Sequence, residues 1–516
     1  MRSTLKLWGV WWSLLISGCQ VAQLPIPVSG DSSAALSRTV IAQLFEWRWS
    51  DIATECEVWL GPKGYGAVQI SPAHEHRLID EGDRPFPWYQ RYQPVSYRLE
   101  SRSGSRSELA DMVERCHRVG VKVYADIVIN HMAGSGAGAG KGIAGSDFDT
   151  DKFAYEAVPY EQADFNPPCS IRPQDYGDNP WRIRYCQLLK LQDLDTGRES
   201  VQAAIAAAMN DLLSLGVAGF RIDAAKHIPP EHLMAIARRL NSLNPSFYPN
   251  GGRPFIYQEV FQELASTDGE AIKASEYFST GAVTEFRYGR NLGEQMRYGQ
   301  LKNLVLFGEA WGLIPSHKAV VFIDNHDTQR SENSNIVTFY RPDDGGSTYR
   351  LANIFMLAWP YGTPRVMSSY DWPRQLGSWV GPPADKQGLT RPAACGDGWV
   401  CEHRWSEVAN MVEFRNATQT ATGVTHWWDN SNNQIGFGRG DRGYVVINHE
   451  SVPLAESLAT GLPPGSYCDI ISLTQETLDE EPQCDSEAIT VDEDGIAYFE
   501  VPPHQAAAIH VERRLE

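Results

Sequence analysis

Past its N-terminal end, the chain of 516 residues has no apolar run long enough to cross a bilayer, which excludes a helical membrane protein. Positive charge is in deficit: 45 Lys and Arg stand against 64 Asp and Glu, a formal net charge of −19. Such a surface repels nucleic acid and anionic membranes and suits a neutral substrate. None of the nine cysteines shows the C-x2-C spacing of a zinc site. A complete phosphate loop is also lacking. GSGAGAGKG (134–142) has Ser135 where the first glycine is needed, and Gly142 follows Lys141 where Ser or Thr is required, so it reads as a surface loop. HEH at 74–76 is too small a cluster to hold a metal by itself.

What is present is an ordinary globular composition, 42% hydrophobic and 21% charged, long enough for two to four domains. Sixteen Trp and 21 Tyr offer rigid faces that suit sugar stacking as well as core packing. The N-terminus carries Arg2 and Lys6 and then a short apolar run from Leu7 to Ile16, the pattern of a signal peptide over 1–18. Ile16-Ser17-Gly18-Cys19 resembles a bacterial lipoprotein box, with Cys19 as the lipidated N-terminus and 19–37 as a tether. The expectation is an exported protein, secreted or lipid-anchored to a bacterial membrane. Gln20 points to the outer membrane in a Gram-negative host. Setting Cys19 aside leaves eight cysteines, which allow four disulfides in roughly a hundred pairings. Pairing near neighbours joins Cys169 to Cys186, Cys395 to Cys401 and Cys468 to Cys484, and leaves Cys56 for Cys116.

TVIAQLFEW (39–47), YGAVQIS (65–71), VKVYADIVI (121–129), VAGFRID (217–223), PFIYQEV (254–260) and AVVFIDN (319–325) read as buried strands. SELADMVERCHRVG (107–120) and ESVQAAIAAAMNDLLSLG (199–216) read as helices ending at Gly. The alternation predicts an α/β fold, a (β/α)8 TIM barrel. Residues 132–192 break the pattern with no clear helix and read as an irregular domain inserted after strand 3. Beyond about 417 only short alternating runs remain, a C-terminal all-β sandwich. The expected order is thus barrel 38–131, insertion 132–192, barrel 193–416 and β domain 417–516.

In such a barrel the chemistry sits at the C-terminal strand ends. Four strands end there in Asn130-His131, Arg221 with Asp223, Glu259, and His326-Asp327. Three carboxylates on one rim suit glycoside hydrolysis, which needs a proton donor and an opposing carboxylate. Arg221 and Asp223, two apart on a strand, share a face, so the guanidinium favours an ionised Asp223. Glu259, as the proton donor, needs surroundings that favour its proton.

DIVINH (126–131), GFRIDAAKH (219–227), YQEV (257–260) and FIDNHD (322–327), with RYQPVSY (91–97), PYGTPRVMSSY (360–370) and CEHRW (401–405), resemble in order the α-amylases of glycoside hydrolase family 13. The closest resemblance is to their animal-type, chloride-dependent branch. It implies endo-hydrolysis of α-1,4-glucosidic bonds in starch, glycogen and maltooligosaccharides with retention of configuration. Asp223 would be the nucleophile, Glu259 the acid and base, and Asp327 the transition-state stabiliser. His131, Arg221, His326, Lys226, His227, Trp88, Tyr89, Tyr92 and Tyr176 would bind substrate. Calcium would take Asn130, Asp193 and the carbonyls of Arg184 and His227; chloride would take Arg221, Asn325 and Arg365. A monomer is expected. The alternatives are a related transglycosylase or maltooligosaccharide-forming amylase, and a non-catalytic glucan-binding lipoprotein. Three departures stand out: SENSNIVTF replaces the glycine-rich loop after the Asn-His-Asp motif, Ala133 replaces a cysteine of some relatives, and Tyr89 replaces a common Trp.

Overall fold

The computed structural model describes residues 38–515 except 135, 263–268, 332–334, 341–344, 474–483 and 485–487. The expected signal peptide (1–18), Cys19 and its tether (19–37) lie outside the described residues.

Eight parallel strands close into a barrel: β1 (Ile41–Leu44), β2 (Ala67–Ile70), β3 (Lys122–Ile127), β4 (Gly219–Ile222), β5 (Phe255–Gln258), β6 (Ala282–Thr284), β7 (Ala319–Val321) and β8 (Thr363–Ser368). Each pairs with its sequence neighbours, and β8 pairs with β1, so no sheet edge is left open. The strands are short apolar runs buried on both faces, as a parallel sheet under helices requires. β6 and β8 were not among the strands expected from the sequence.

Helix α1 (Trp49–Glu55) follows β1, and α2 (Arg106–Arg118) precedes β3. Ser105 opens α2 with a capping box: its hydroxyl accepts from Glu108 N while the Glu108 carboxylate accepts from Ser105 N. Gly120, at φ +78, ends it. Helix α3 (Glu199–Ser214) buries Val201, Ile205, Met209 and Leu212 along one stripe, and Gly216 at φ +98 turns the chain into β4. The disulfides are Cys56–Cys116, Cys169–Cys186, Cys395–Cys401 and Cys468–Cys484. The first pins the end of α1 to α2.

At the base of the insertion, His131–Gly134 pairs antiparallel with Leu191–Asp193. One expectation is corrected here: the inserted segment does contain helix, in two short pieces, Asp175–Asp178 and Pro180–Tyr185. The second begins with proline and is capped by the Asn179 side chain, which accepts from Arg182 N. Both are less than two turns long, too short to leave a 3.6-residue period in the sequence.

Beyond helix α4 (Ser406–Ala417) the chain forms two four-stranded antiparallel sheets. Their facing sides bury Tyr444, Val446, Leu458, Phe499, Val501 and Ile509. Along Ile496–Val501 burial alternates, with Ala497, Phe499 and Val501 inward. The opposite face of the first sheet packs on the barrel. Phe437 lies 5.8 Å from Phe355, and Arg439 Nη1 donates to Ala358 O at 2.6 Å, at the C-terminus of the helix Ser347–Ala358.

Candidate active site

The barrel rim draws its polar groups from several strands. β4 presents Arg221 inward, and Asp223 follows its last residue, Ile222. Ala224 follows at φ +48, a left-handed conformation unusual for a residue with a Cβ, and this turn aims its N–H at Glu259 Oε2, 2.8 Å away. Arg221 is the hub. Its Nη1 donates to Asp126 Oδ1 and Oδ2 at 2.8 and 2.9 Å and to Asp223 Oδ1 at 2.6 Å. Its Nη2 meets Glu259 Oε1 at 2.7 Å. Asp126 is the register partner of Arg221 on the neighbouring strand β3, and it also accepts from Tyr92 Oη at 2.9 Å. Asp126 had no role assigned from the sequence, although it opens the DIVINH motif.

Three carboxyl groups therefore meet one guanidinium, with Asp327 as a fourth close by. Burial pushes the Asp223 carboxyl well up, and the charges of Glu259, Asp126 and Asp327 add to it, against Arg221. Asp126 is also raised, by burial first, with Arg221 opposing. Asp327 is pushed up to about 7 by its depth in the cleft and by the charge of Glu259, although 45% of its side-chain surface stays open. A cluster of this charge retains a proton near neutral pH, and the protons belong to the group rather than to one member. The expectation of an Asp223 kept ionised by Arg221 alone is therefore too simple.

One further expectation is corrected. Arg221 is only 1% exposed and lies behind the carboxylates, so it positions them and does not touch substrate. Glu259 accepts from Arg221 on Oε1 and from Ala224 N on Oε2.

In front of the carboxylates lies a cleft of 960 Å³. Trp88, Tyr89, Tyr92, His131, Tyr176, Lys226, His227 and His326 line it together with Asp223, Glu259 and Asp327. His326 is sandwiched between Phe45 and Tyr92, at 4.8 and 5.1 Å, with Nε2 3.3 Å from Asp327 Oδ2. Burial holds His326 well below the usual imidazole range and His131 down to about 4, so both are neutral hydrogen-bonding groups. Lys226 Nζ donates to Phe261 O at 2.7 Å and Glu270 Oε2 at 2.9 Å and lies 5.3 Å over the Tyr176 ring. Sequence reasoning missed Phe261, Glu270, Leu188 and Leu189 on the cleft wall. Phe261 and Glu270 stand on irregular chain and Leu188 and Leu189 on a single 3-10 turn, where spacing carries no signal.

Of the oxygen ligands expected for calcium, Asn130 and Asp193 are in contact. Asp193 is buried, its Oδ2 accepts from Asn166 at 2.8 Å, and Asn130 also donates to it. Burial pushes its carboxyl well up, and none of its contacts is a basic side chain. A buried carboxylate among neutral amides suits a hard cation. His227 Nδ1 contacts the carbonyl of Ile183, the residue before Arg184, at 2.9 Å. Among the described residues no three His, Cys, Asp or Glu side chains cluster as metal ligands, so such a site relies on carbonyl and amide oxygens.

For chloride, Arg365 is 2% exposed, donates to Gln69 Oε1 at 2.9 Å, and leaves Nε and Nη2 without a hydrogen-bond partner. Asn325 Oδ1 accepts from Asp327 N and Thr328 N, which leaves its amide nitrogen as a donor. Orphaned buried donors on a guanidinium fit an anion.

Residues 70–312 match the family described as alpha amylase, catalytic domain, and 426–512 match the alpha amylase C-terminal all-beta domain. The α-amylase of Oryzias latipes is 46% identical over 506 residues, covering 93% of this chain and 95% of its own. The chain belongs to the α-amylase family. It is a glycoside hydrolase of that family, with the catalytic barrel and the C-terminal β domain described above. The pancreatic α-amylase of Sus scrofa is 44% identical over 508 residues, 93% of this chain and 95% of its own. Among solved structures, a Glu-to-Gln variant of α-amylase I from Eisenia fetida in complex with maltohexaose superposes with a TM-score of 0.84. It is 44% identical, over 92% of this chain and 97% of that one.

Proposed function

We propose that this chain is a retaining endo-α-1,4-glucan hydrolase acting on starch, glycogen and maltooligosaccharides. One observation carries the reading: a single guanidinium, Arg221, holds Asp126, Asp223 and Glu259 at the floor of the cleft, with Asp327 at its mouth. Asp223 and Glu259 sit on neighbouring nitrogens of that one group, the short spacing that retaining enzymes use.

Asp223 attacks the anomeric carbon while Glu259 gives its proton to the departing glycosidic oxygen. The glycosyl-enzyme ester is then opened by water, whose proton Glu259 takes back. Asp327 and the neutral His326 and His131 hold the sugar hydroxyls and the charge that develops on the ring. Lys226 and His227 serve the leaving-group side. Arg221 is a positioning residue.

Asn130, Asp193 and the carbonyls of Arg184 and His227 would hold calcium, which would brace the insertion against the loop carrying Asp223. Arg221, Asn325 and Arg365 would hold chloride, which would supply a counter-charge to the orphaned donors of Arg365. Cys19, outside the described residues, would carry the lipid of an exported bacterial monomer. Four disulfides suit an oxidising compartment.

The test is reducing-sugar release from soluble starch in chloride-free buffer with calcium, then with added chloride. Wild type should rise strongly with chloride, and Arg365→Gln should not respond. Equal activity of wild type in both buffers would remove the chloride site and keep the hydrolase; no sugar release in either would remove the hydrolase.

A further inference from the structure

We propose that the buried hydroxyl of Tyr277 is a positioning group for the calcium site, setting the direction of the His227 carbonyl and with it the affinity for the ion. The inference rests on the calcium reading above and extends it to a residue outside that ligand set. Tyr277 ends the short 3-10 turn Ala274–Tyr277, between β5 and β6, and is fully buried. Its own carbonyl accepts from Gln258 Nε2 at 2.9 Å. Gln258 ends β5 and precedes Glu259, so the tyrosine backbone is tied to the strand that delivers the acid.

The hydroxyl reaches across to the loop after β4. Oη lies 3.1 Å from Lys226 O and 3.0 Å from Ile228 O. A phenol has one hydrogen, so the two carbonyls share it. They belong to the peptide groups on either side of the one that carries the His227 carbonyl. That middle peptide is fixed as well. Its N–H, on Ile228, donates to Ala225 O at 3.0 Å, and in a trans peptide the carbonyl points the opposite way. Among the described residues no backbone N–H donates to the His227 carbonyl. His227 is 7% exposed, and a buried carbonyl without a donor is costly unless another polar group or a hard cation meets it. Three consecutive carbonyls are thus sorted: the outer two turn to Tyr277, and the middle one remains for the ion.

The same turn holds the segment of the other expected carbonyl ligand. The Arg184 guanidinium lies 5.9 Å over the Tyr277 ring, and its Nη2 donates to Glu276 Oε2 at 2.7 Å. Glu276 is itself held, because its Oε1 accepts from Lys273 N at 2.7 Å. Tyr277 therefore grips the His227 loop through a hydroxyl, and Glu276 grips the insertion helix through a charge. Lys226 N also donates to Glu259 O at 3.1 Å, so the loop that Tyr277 holds supports the acid too.

The test is calcium affinity, measured by isothermal titration calorimetry on chelator-stripped wild type, Tyr277→Phe and Glu276→Gln. Tyr277→Phe keeps the ring and removes the hydroxyl alone. Its Kd for calcium should rise about tenfold, the low end of the loss when a group that orients a metal ligand is removed. Glu276 keeps 37% of its side chain exposed, so Glu276→Gln spares the fold, and it should raise Kd by a smaller factor. Melting temperatures in EDTA and at one fixed calcium concentration separate this from a purely structural role. The rise that calcium gives should shrink in both variants, whereas a structural role would lower both temperatures alike and leave Kd unchanged. A Kd equal to wild type in both variants overturns the positioning role and leaves the calcium site standing. Wild type that binds no calcium overturns both, and sugar release from starch by that same protein would still leave the hydrolase in place.

Discussion

Arg221 and Asp126 stand opposite each other on neighbouring strands, β4 and β3, and this pairing organises the site. The charge of Asp126 raises the carboxyls of both Asp223 and Asp327. In Asp126→Asn that charge is gone, so both ionise at lower pH. The acid limb of kcat/KM against pH should move to lower pH, and kcat should fall by about 10–100-fold because Arg221 loses one of its anchors. KM should change little, since Asp126 does not line the cleft. A pH profile with an unmoved acid limb would contradict this placement. Asp223, Glu259 and Asp327 were legible in the sequence because each ends a run that reads as a strand. Asp126 was not, because its role depends on strand register, which a single sequence does not reveal. The same limit hid the burial of Arg221: alternation put it on the face of Asp223 but could not show that carboxylates screen it from the cleft.

Among the elements, α1 is tied to β8 through one carboxylate. Glu55 accepts from His403 Nε2 at 2.8 Å and Arg404 Nε at 2.7 Å, while His403 Nδ1 contacts Ser368 Oγ at 2.9 Å. Although this resembles a hydrolytic triad, Ser368 and His403 are fully buried and no substrate can reach them. These partners overcome the cost of burial and bring the Glu55 carboxyl from 4.5 down to about 2. A lowered acid stabilises the fold above its unfolded value and ceases to do so as pH falls through its folded value. Glu55→Gln should therefore cost about 3 kcal/mol at neutral pH, and the difference from wild type should shrink below pH 4.5 and vanish near 2. Denaturant titrations at neutral and acid pH measure it; a difference independent of pH would contradict the clamp. Six barrel strands were legible as apolar runs. β6 was not, being three residues long, and β8 carries Pro364 two residues after Gly362, which reads as a turn.

Across the whole molecule, the barrel and the β domain share a packed boundary, with Phe437 on Phe355 and Arg439 on the end of a barrel helix. Repeated strand–helix alternation followed by short alternating runs made this architecture legible. The irregular chain on the cleft wall was not, since Phe261 and Glu270 follow no period. The fold brings acids from β3, β4, β5 and the loop after β7 to one guanidinium, and the central claim is that this arrangement breaks glycosidic bonds with retention. Proton NMR of maltoheptaose during its first minutes with the wild-type protein tests that most directly. New reducing ends should appear first as the α-anomer and equilibrate later. Initial release of the β-anomer, or no new reducing ends, would contradict the account.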